Sequence, residues 1–332
     1  MPALRPAQRG AALLTAMIIV TLVATLASAM YWRQWRSVQI EVAERARSQS
    51  AWILTGALSW SRLILAEDAR TGGPDHLSEP WAIPLAEARL STFLAADNAN
   101  AEDGPEAFLA GQITDAQARF NLRNLVQADG QLSEPNVKVL QRLCEQLNID
   151  SSVPQALANA LRLALPASAA PETPGAPGPA DGTAGQDAPL LPPTVEQLHW
   201  LGIDVQSSKR LAPYVTLLPK ITKVNLNTAP REVLAAVLGD PASADRVMQV
   251  RQRTPFKNVE DAINQLGQGS PAAGGNLGDR VSISSEFFEV RGRMRIEQKV
   301  VEERSVVERR GNNVAVVQRE RASFTSGNPL TP

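Results

Sequence analysis

The amino-acid sequence predicts an α+β fold in which a long N-terminal helix, half of it transmembrane, packs on a small antiparallel sheet that carries a large all-α insertion domain. Three observations predict this fold class. A run of 21 uncharged residues, Ala11 to Tyr31, continues into an amphipathic helical pattern. Several amphipathic helical segments follow between residues 126 and 280, and strict polar–apolar alternation, typical of β-strands, appears after residue 281.

Composition excludes several classes of function. The 332 residues carry 33 Lys and Arg against 34 Asp and Glu, a net charge of -1, which disfavours nucleic-acid binding through bulk positive charge. The single cysteine, Cys144, excludes an internal disulfide and a CxxC redox pair. His76 and His199 have no neighbours at metal-ligand spacing. The sequence has no GxSxG, P-loop, dinucleotide or HExxH motif, so we predict that the protein is not an enzyme.

The uncharged run from Ala11 to Tyr31 predicts a transmembrane helix. At 1.5 Å per residue it is about 30 Å long, which matches the hydrocarbon core of a bilayer. The ten residues before it contain two arginines and no acid, and so short a tail beside a large domain favours a cytoplasmic N-terminus and an exported C-terminus. An aromatic and basic cluster typical of a membrane interface overlaps and follows the end of the run: Tyr31, Trp32, Arg33, Trp35 and Arg36.

A cleaved secretory signal peptide is the alternative interpretation of the N-terminus. Ala27-Ser28-Ala29 satisfies the A-x-A cleavage pattern, and a cut there would start the mature chain at Met30 of a secreted or periplasmic binding protein. Two features disfavour it. The uncharged run is longer than an h-region of about 7–15 residues, and the helical pattern continues past Ala29.

The helical pattern extends to about residue 68. No proline lies between Ala11 and Arg70, which predicts one continuous helix that ends at the cluster Thr71-Gly72-Gly73-Pro74. Apolar residues recur at spacings of three, four or seven at the following positions: Trp35, Val38, Val42, Ala46, Ile53, Ala57, Trp60 and Ile64.

This N-terminus resembles that of type IV pilin-like proteins, in which a short basic leader ends in glycine before a half-membrane, half-soluble helix. The resemblance implies that a prepilin peptidase cuts between Gly10 and Ala11 and methylates Ala11. Most pilins have a glutamate five residues into the mature chain, where this sequence has Thr15; an unpaired carboxylate there costs about 2.5–3.5 kcal/mol on insertion scales. The helix would pack in the membrane and against other subunits through Leu14, Thr15, Ile18, Leu22, Trp35, Val38 and Val42.

Omission of that glutamate is known in the minor pseudopilin K family of type II secretion, also called general secretion pathway protein K. Three further stretches resemble that family in the same order: DHLSEPWAIP at 75–84, GQITDAQARFNLRNL at 111–125, and LAPYVTLLPKITKVNLNTAPREVLAAVL at 211–238. The resemblance implies a pilin-like fold in a single-pass inner-membrane protein with a periplasmic C-terminal domain. It also implies a tip complex with the I and J minor pseudopilins that primes the pseudopilus for protein export, with exported substrates as further partners.

The expected organisation follows from these patterns. It comprises a leader at 1–10, a transmembrane segment at 11–31, the rest of the helix and the first part of the pilin-like domain at 32–125, a helical insertion at 126–280, and a C-terminal β part at 281–325. Proline and glycine dominate residues 166–193, which predicts a disordered loop inside the insertion. Cys144 lies on the apolar face of a predicted helix over 136–149, so we expect a buried, inert thiol.

Two segments of the insertion carry predicted helix caps. Thr194 is expected to cap a helix over 194–202, and Thr228 one that runs through Leu238. The second segment resembles the entry to a helix-hairpin-helix, which would make the chain a membrane-anchored DNA-binding protein. The hairpin at 239–243 disfavours that alternative, because Asp240 repels phosphate and Pro241 removes a donor. We therefore predict a protein-interaction module without nucleic acid, with Arg246, Arg251 and Arg253 on a solvated face.

No cofactor is required by this interpretation, although calcium is a candidate. Structures of the K family contain calcium in the soluble domain, so the resemblance implies some site. An acid- and amide-rich stretch could offer oxygen ligands through Asp97, Asn98, Asn100, Glu102 and Asp103.

The C-terminal region predicts β-structure. Phe288 to Ile296 alternates apolar with charged residues, a strand is expected near 300–308, and Arg310-Gly311-Asn312-Asn313 predicts the turn of a hairpin completed by 314–321. Three arginines of the first strand, Arg291, Arg293 and Arg295, share with Glu289 a face that is expected to be solvated; a patch for an acidic partner is the alternative interpretation.

Overall fold

The computed structural model describes residues 9–90, 107–165, 189–266, 277–296 and 299–325. It contains two compact units, of which the first ends at Gly56 and the second begins at Ala57. The predicted leader, except for its last two residues, and most of the predicted disordered loop lie outside the described residues.

One helix, α1, runs from Arg9 to Thr71 and confirms the long N-terminal helix expected from the sequence. Its apolar part is long enough to cross a membrane, with a mean hydropathy of 2.3. The large apolar side chains between Leu13 and Val42 are 50% to 74% exposed. The helix ends where Gly72 adopts φ +67, a left-handed conformation that favours glycine.

A five-stranded antiparallel sheet has the order β1-β2-β7-β8-β9. Its strands are β1 (Leu85–Arg89), β2 (Ala107–Asp115), β7 (Phe287–Ile296), β8 (Lys299–Arg310) and β9 (Asn313–Thr325). The predicted C-terminal hairpin is confirmed, because β8 and β9 pair from Arg310 and Asn313 outward. Within the second unit, one face of the sheet contributes to an apolar cluster made of Leu58, Leu65, Trp81, Ile113, Phe288, Val290, Val307 and Val314.

The helical insertion interrupts the sheet between two paired strands. β2 ends at Asp115 and β7 begins at Phe287, and Asp115 lies opposite Phe288 in the register. We call residues 116–286 the insertion; the predicted insertion domain at 126–280 lies inside this range. Because antiparallel neighbours meet side by side, the two ends of the insertion are adjacent.

The insertion consists of short helices and two pairs of very short parallel strands. The helices are α2 (Glu134–Gln146), α3 (Val153–Ala164), α4 (Val205–Leu211), α5 (Arg231–Leu238), α6 (Pro241–Arg253) and α7 (Val259–Leu266). The strand pairs are β3 (Phe120–Asn121) with β4 (Val215–Thr216), and β5 (Val224–Asn225) with β6 (Val281–Ser282). Its own apolar core buries Cys144 to 1% exposure, as expected for an inert thiol.

Several local expectations were wrong. Thr228 does not cap α5, which follows Pro230; its hydroxyl donates to Asp115 instead. Residues 195–201 form a 3-10 helix, and Thr194, although at its N-cap position, makes no side-chain capping bond. Arg251 is not solvated, because its Nη1 donates to the carbonyl of Leu226 at 2.7 Å in a largely buried position. At Thr228 and Arg251 a tertiary contact overrides local propensity.

Candidate functional site

The residues predicted to pack against lipid and other subunits lie exposed on α1. The exposed fractions of Leu14, Ile18 and Leu22 are 63%, 60% and 56%, and those of Trp35, Val38 and Val42 are 50%, 50% and 59%. Gly10 and Ala11 lie in the first turn of α1, and cleavage and methylation there remain predictions.

Thr15 replaces the pilin glutamate with a group that needs no external partner. Its hydroxyl donates to the backbone carbonyls of Ala11 at 3.1 Å and Ala12 at 2.9 Å. A threonine can thus be satisfied by its own helix inside an apolar medium, whereas a carboxylate cannot.

The part of α1 in the second unit also exposes large apolar side chains. Trp60 is 65% and Leu63 is 56% exposed. Because they are three residues apart on a helix, these two side chains lie on the same side of α1. Neighbouring exposed apolar side chains of this kind are a candidate protein contact.

A buried polar cluster lies where the insertion joins the sheet. Asp115, the last residue of β2, is 4% exposed and accepts four hydrogen bonds. The donors are the backbone N–H of Gln117 (2.7 Å), the hydroxyls of Thr228 (2.5 Å) and Ser285 (2.7 Å), and the amide of Asn225 (3.0 Å). Burial raises the pKa of Asp115 to about 6, against the opposing effect of these donors.

Asp75 and Arg309 extend this cluster toward α1. Arg309 Nη1 donates to Asp68 at 2.6 Å and Nη2 to Asp75 at 2.6 Å, while its guanidinium lies 4.7 Å from the ring centre of Phe288. Burial raises the pKa of Asp75, although Arg309 opposes this. The Asn225 amide donates to the Asp75 carbonyl at 3.2 Å. We call the following six residues the junction cluster: Asp75, Asp115, Asn225, Thr228, Ser285 and Arg309.

A second contact joins the insertion to the outer face of the sheet. Glu289, expected on a solvated face, is 1% exposed. It accepts from Arg119 of the insertion at 2.5 Å, from Arg291 at 2.5 Å and from Arg304 at 3.0 Å. Burial would raise the pKa of Glu289, but the guanidiniums outweigh it and lower the pKa to about 2. The expectation was wrong because the insertion covers this part of the face, which alternation along one strand does not reveal.

Two further side chains of the insertion bind the sheet. The Lys220 ammonium pairs with the carboxylate of Glu308 on β8. Gln117 Oε1 accepts from the backbone N–H of Glu286 at 2.6 Å and of Phe287 at 3.2 Å, so it joins both ends of the insertion. Together with the junction cluster, these contacts attach the insertion to strands β2, β7 and β8.

Two asparagines in the stretches that resemble the pseudopilin K family, Asn121 and Asn227, bind the backbone of distant segments. Asn121 Nδ2 donates to the carbonyl of Lys220 at 2.7 Å, and its Oδ1 accepts from the N–H of Leu218 at 3.1 Å. Asn227 makes the same kind of two-way contact with the backbone of Phe256, at 3.1 and 3.0 Å. These roles were not predicted from the sequence. Each asparagine lies next to a leucine that is buried, which is a signal that the amide is also buried and needs hydrogen-bond partners.

In the hairpin at 239–243, Asp240 binds the backbone N–H groups at the start of the following helix. Asp240 accepts from the N–H groups of Ala242 at 2.8 Å and Ser243 at 3.1 Å, and thereby caps α6. These donors are the groups that a phosphate would require at a helix N-terminus. The geometry therefore favours a structural hairpin.

Among the residues that the structure describes, one group of three carboxylates has the spacing to hold a metal ion. Asp68, Asp75 and Glu79 place ligand atoms within 4.8 Å of one another. Arg309 already binds two of these carboxylates and supplies their counter-charge. The predicted calcium ligands between Asp97 and Asp103 lie outside the described residues, and calcium there remains a prediction.

Family models and individual sequences that resemble this chain point to the same family. Family models for type II secretion system protein K match residues 118–220 and 224–284, both within the insertion. A type II secretion system protein K from Klebsiella pneumoniae is 30% identical over 94% of this chain and 96% of its own length. One from Pseudomonas aeruginosa is 29% identical over 86% and 84%.

A solved structure has a similar fold. A chain in the crystal structure of the GspK-GspI-GspJ complex from the type 2 secretion system of enterotoxigenic Escherichia coli has a TM-score of 0.64 and 20% sequence identity. The similarity covers 84% of this chain and 98% of that chain. The pilin-like fold with a helical insertion is therefore shared.

Proposed function

This chain belongs to the type II secretion system protein K family, and from that premise we propose that it lies at the tip of the pseudopilus with the I- and J-type minor pseudopilins. It is a minor pseudopilin. The proposal also places the apolar part of α1 in the inner membrane as an anchor, with the second unit in the periplasm. In this position the chain would prime pseudopilus assembly for protein export and contribute binding energy rather than catalysis.

The observation that carries the proposal is the pair of exposed apolar side chains, Trp60 and Leu63, on the part of α1 in the second unit. Two large apolar side chains on the same side of a helix offer a surface to a protein partner. A solved structure with this fold comes from a complex named for GspK, GspI and GspJ, which makes minor pseudopilins the partners to test.

Thr15 supports placement at the tip. A subunit with a glutamate at this position needs a neighbouring terminal amine to pair with it inside the bilayer. Thr15 is satisfied by its own helix, so this chain needs no such neighbour. The bulk of the insertion would stop further subunits from adding.

Photo-crosslinking in a secreting cell tests the partners. A photoreactive residue in place of Trp60 should give adducts that antibodies against the I- or J-type pseudopilin recognise. The same residue in place of Glu145, which is exposed on α2 of the insertion, is the matched control and should give none of these adducts. Adducts with neither minor pseudopilin at position 60 would overturn the assignment of partners.

Immunogold labelling tests the position. In cells that assemble long pseudopili, a label on this chain should appear at one end of each fibre. Label along the whole length would contradict a tip position.

Mass spectrometry of the mature N-terminus tests processing and orientation together. Cleavage by a prepilin peptidase gives a chain that begins with methylated Ala11. A chain beginning at Met30 would instead show signal-peptide cleavage and a protein released from the membrane.

A further inference from the structure

One carboxylate of the junction cluster, that of Asp115, is buried without an ion-pair partner among the described residues. Asp115 is surrounded by four neutral donors, and no Lys or Arg among the described residues makes an ion pair with it. A buried charge is normally paired, because removal of a carboxylate from water costs several kcal/mol. Asp115 is therefore an unusual choice for a purely structural acceptor, which an asparagine or serine could supply.

We propose that Asp115 is a proton-linked latch that attaches the insertion to the sheet more firmly when it is protonated. Its position fits this role, because it ends β2 and accepts hydrogen bonds from three side chains of the insertion: Asn225, Thr228 and, just before β7, Ser285. Any movement of the insertion away from the sheet would expose its carboxylate to water.

The surrounding donors tolerate both protonation states. The hydroxyls of Thr228 and Ser285 can each donate or accept a hydrogen bond, so one of them can rotate and accept the hydrogen bond that the O–H of a protonated Asp115 donates. The Asn225 amide and the Gln117 N–H can keep donating to the remaining lone pairs. Protonation thus removes a buried charge while both oxygens of the carboxyl group keep a hydrogen-bond donor.

The charges that face the cluster favour proton uptake. From the segment after α1, Asp75 shares Ser285 and Asn225 with Asp115. From β8, Arg309 is the cation of the cluster, and it already binds Asp75 and the α1 residue Asp68. Glu79 adds a further negative charge beside Asp68. Among the described residues, the donors that the insertion contributes to Asp115 are all uncharged: Gln117, Asn225, Thr228 and Ser285. Carboxylates therefore outnumber the guanidinium around the cluster.

The direction of the pH effect follows from linkage. Asp115 has a pKa of about 6 in the folded chain against 3.8 when exposed. Because folding raises the pKa of Asp115, the stabilisation of the attachment by protonated Asp115 is fully present below about pH 3.8. It is lost as the pH rises through about 6. From pH 7.5 to pH 5.0, linkage with these two values predicts an attachment about tenfold stronger.

Hydrogen exchange of the full chain in detergent micelles tests the latch. Peptides that cover 224–230 and 283–288 should gain about tenfold in protection from pH 7.5 to 5.0, after correction for intrinsic exchange. In Asp115→Asn that pH-dependent gain should disappear. Equal pH profiles of the wild type and Asp115→Asn would overturn the proposal.

A second variant keeps the test decisive if Asp115→Asn does not fold. Thr228→Val removes one donor to the anion and should move the midpoint of the protection change to higher pH. Thr222→Val is the matched control, because its hydroxyl bonds to Asn121 and not to Asp115. If Thr228→Val and Thr222→Val have the same midpoint, Asp115 is not the titrating group. None of these outcomes depends on the tip position.

Discussion

Arg309 and Asp75 are 234 residues apart in the chain, yet Nη2 of Arg309 donates to both carboxylate oxygens of Asp75 at 2.6 Å. The same guanidinium binds Asp68 near the end of α1 and the carbonyl of Ser285 before β7. One side chain thus fixes the end of the helix, the segment after it and the strand β8 relative to one another.

Arg309→Met should be strongly destabilising. It leaves Asp68 and Asp75 buried without a counter-charge, and loss of one partner of a buried pair costs about 3–5 kcal/mol. Denaturant titration of the full chain in detergent measures the free energy of unfolding. Arg310→Met is the control, because Arg310 pairs with Glu308 with 66% of its own side chain exposed, and it should cost less than about 1 kcal/mol. Similar losses in both variants would contradict this account.

Glu289 should make the fold sensitive to acid. Its pKa is lowered to about 2 from 4.5, so its contribution is present above pH 4.5 and is lost as the pH falls toward 2. The difference corresponds to about 3 kcal/mol. Glu289→Gln should lose about this amount at pH 7 and match the wild type near pH 2. Glu145→Gln, an exposed control, should follow the wild type throughout, and a constant gap between wild type and Glu289→Gln would refute the linkage.

Asn121→Ala should destabilise the insertion without any change of charge. The substitution leaves the buried N–H of Leu218 without its acceptor, at about 1–3 kcal/mol, and removes the donor to the partly buried carbonyl of Lys220. Asn264→Ala, on the exposed face of α7, should be neutral or slightly stabilising because alanine is the better helix former. Thermal unfolding compares the two variants, and a loss in Asn264→Ala as large as that in Asn121→Ala would be the contrary result.

Thr15→Glu should weaken membrane insertion of the isolated subunit. A carboxylate at this depth costs about 2.5–3.5 kcal/mol, whereas the threonine hydroxyl is satisfied by the carbonyls of Ala11 and Ala12. Carbonate extraction of membranes measures the inserted fraction, with Thr15→Val as the control that should remain fully inserted. Full insertion of Thr15→Glu without other pseudopilins would show that the charge is tolerated there unpaired.

Cys144 should resist alkylation in the folded chain. It is 1% exposed, and burial raises the pKa of its thiol to about 12. Maleimide at pH 7.5 should label it only in denaturant, which makes Cys144 a reporter of unfolding of the insertion. Rapid labelling of the native chain would contradict its burial.

Patterns with a clear period were predictable from the sequence. The helical run from Ala11 to Arg70 and the alternation from Phe288 to Ile296 each gave an element close to the observed one. Such patterns indicate which face of a single helix or strand is apolar. They predict structure well where burial of that face, in lipid or in one apolar core, determines the fold.

The polar contacts between distant segments were not predictable. Asp115, Asn225 and Arg309 come together only because the chain leaves the sheet after β2 and returns at β7. Thr228 and Glu289 follow local rules for a cap and a solvated strand position, but each finds a partner more than 100 residues away. Local propensity is a weak guide where such a partner competes for the same side chain.

The side-by-side position of Asp115 and Phe288 has a consequence for how this architecture can arise and be engineered. Two neighbouring antiparallel strands whose ends lie side by side can be joined by a two-residue turn. A gene that encoded a plain β-hairpin of β2 and β7 could therefore acquire the insertion in one event, without a change of strand order. The reverse operation is equally direct. Deletion of residues 116–286 with a short turn in their place would yield a smaller protein with all five strands, and other compact domains could be grafted at the same point.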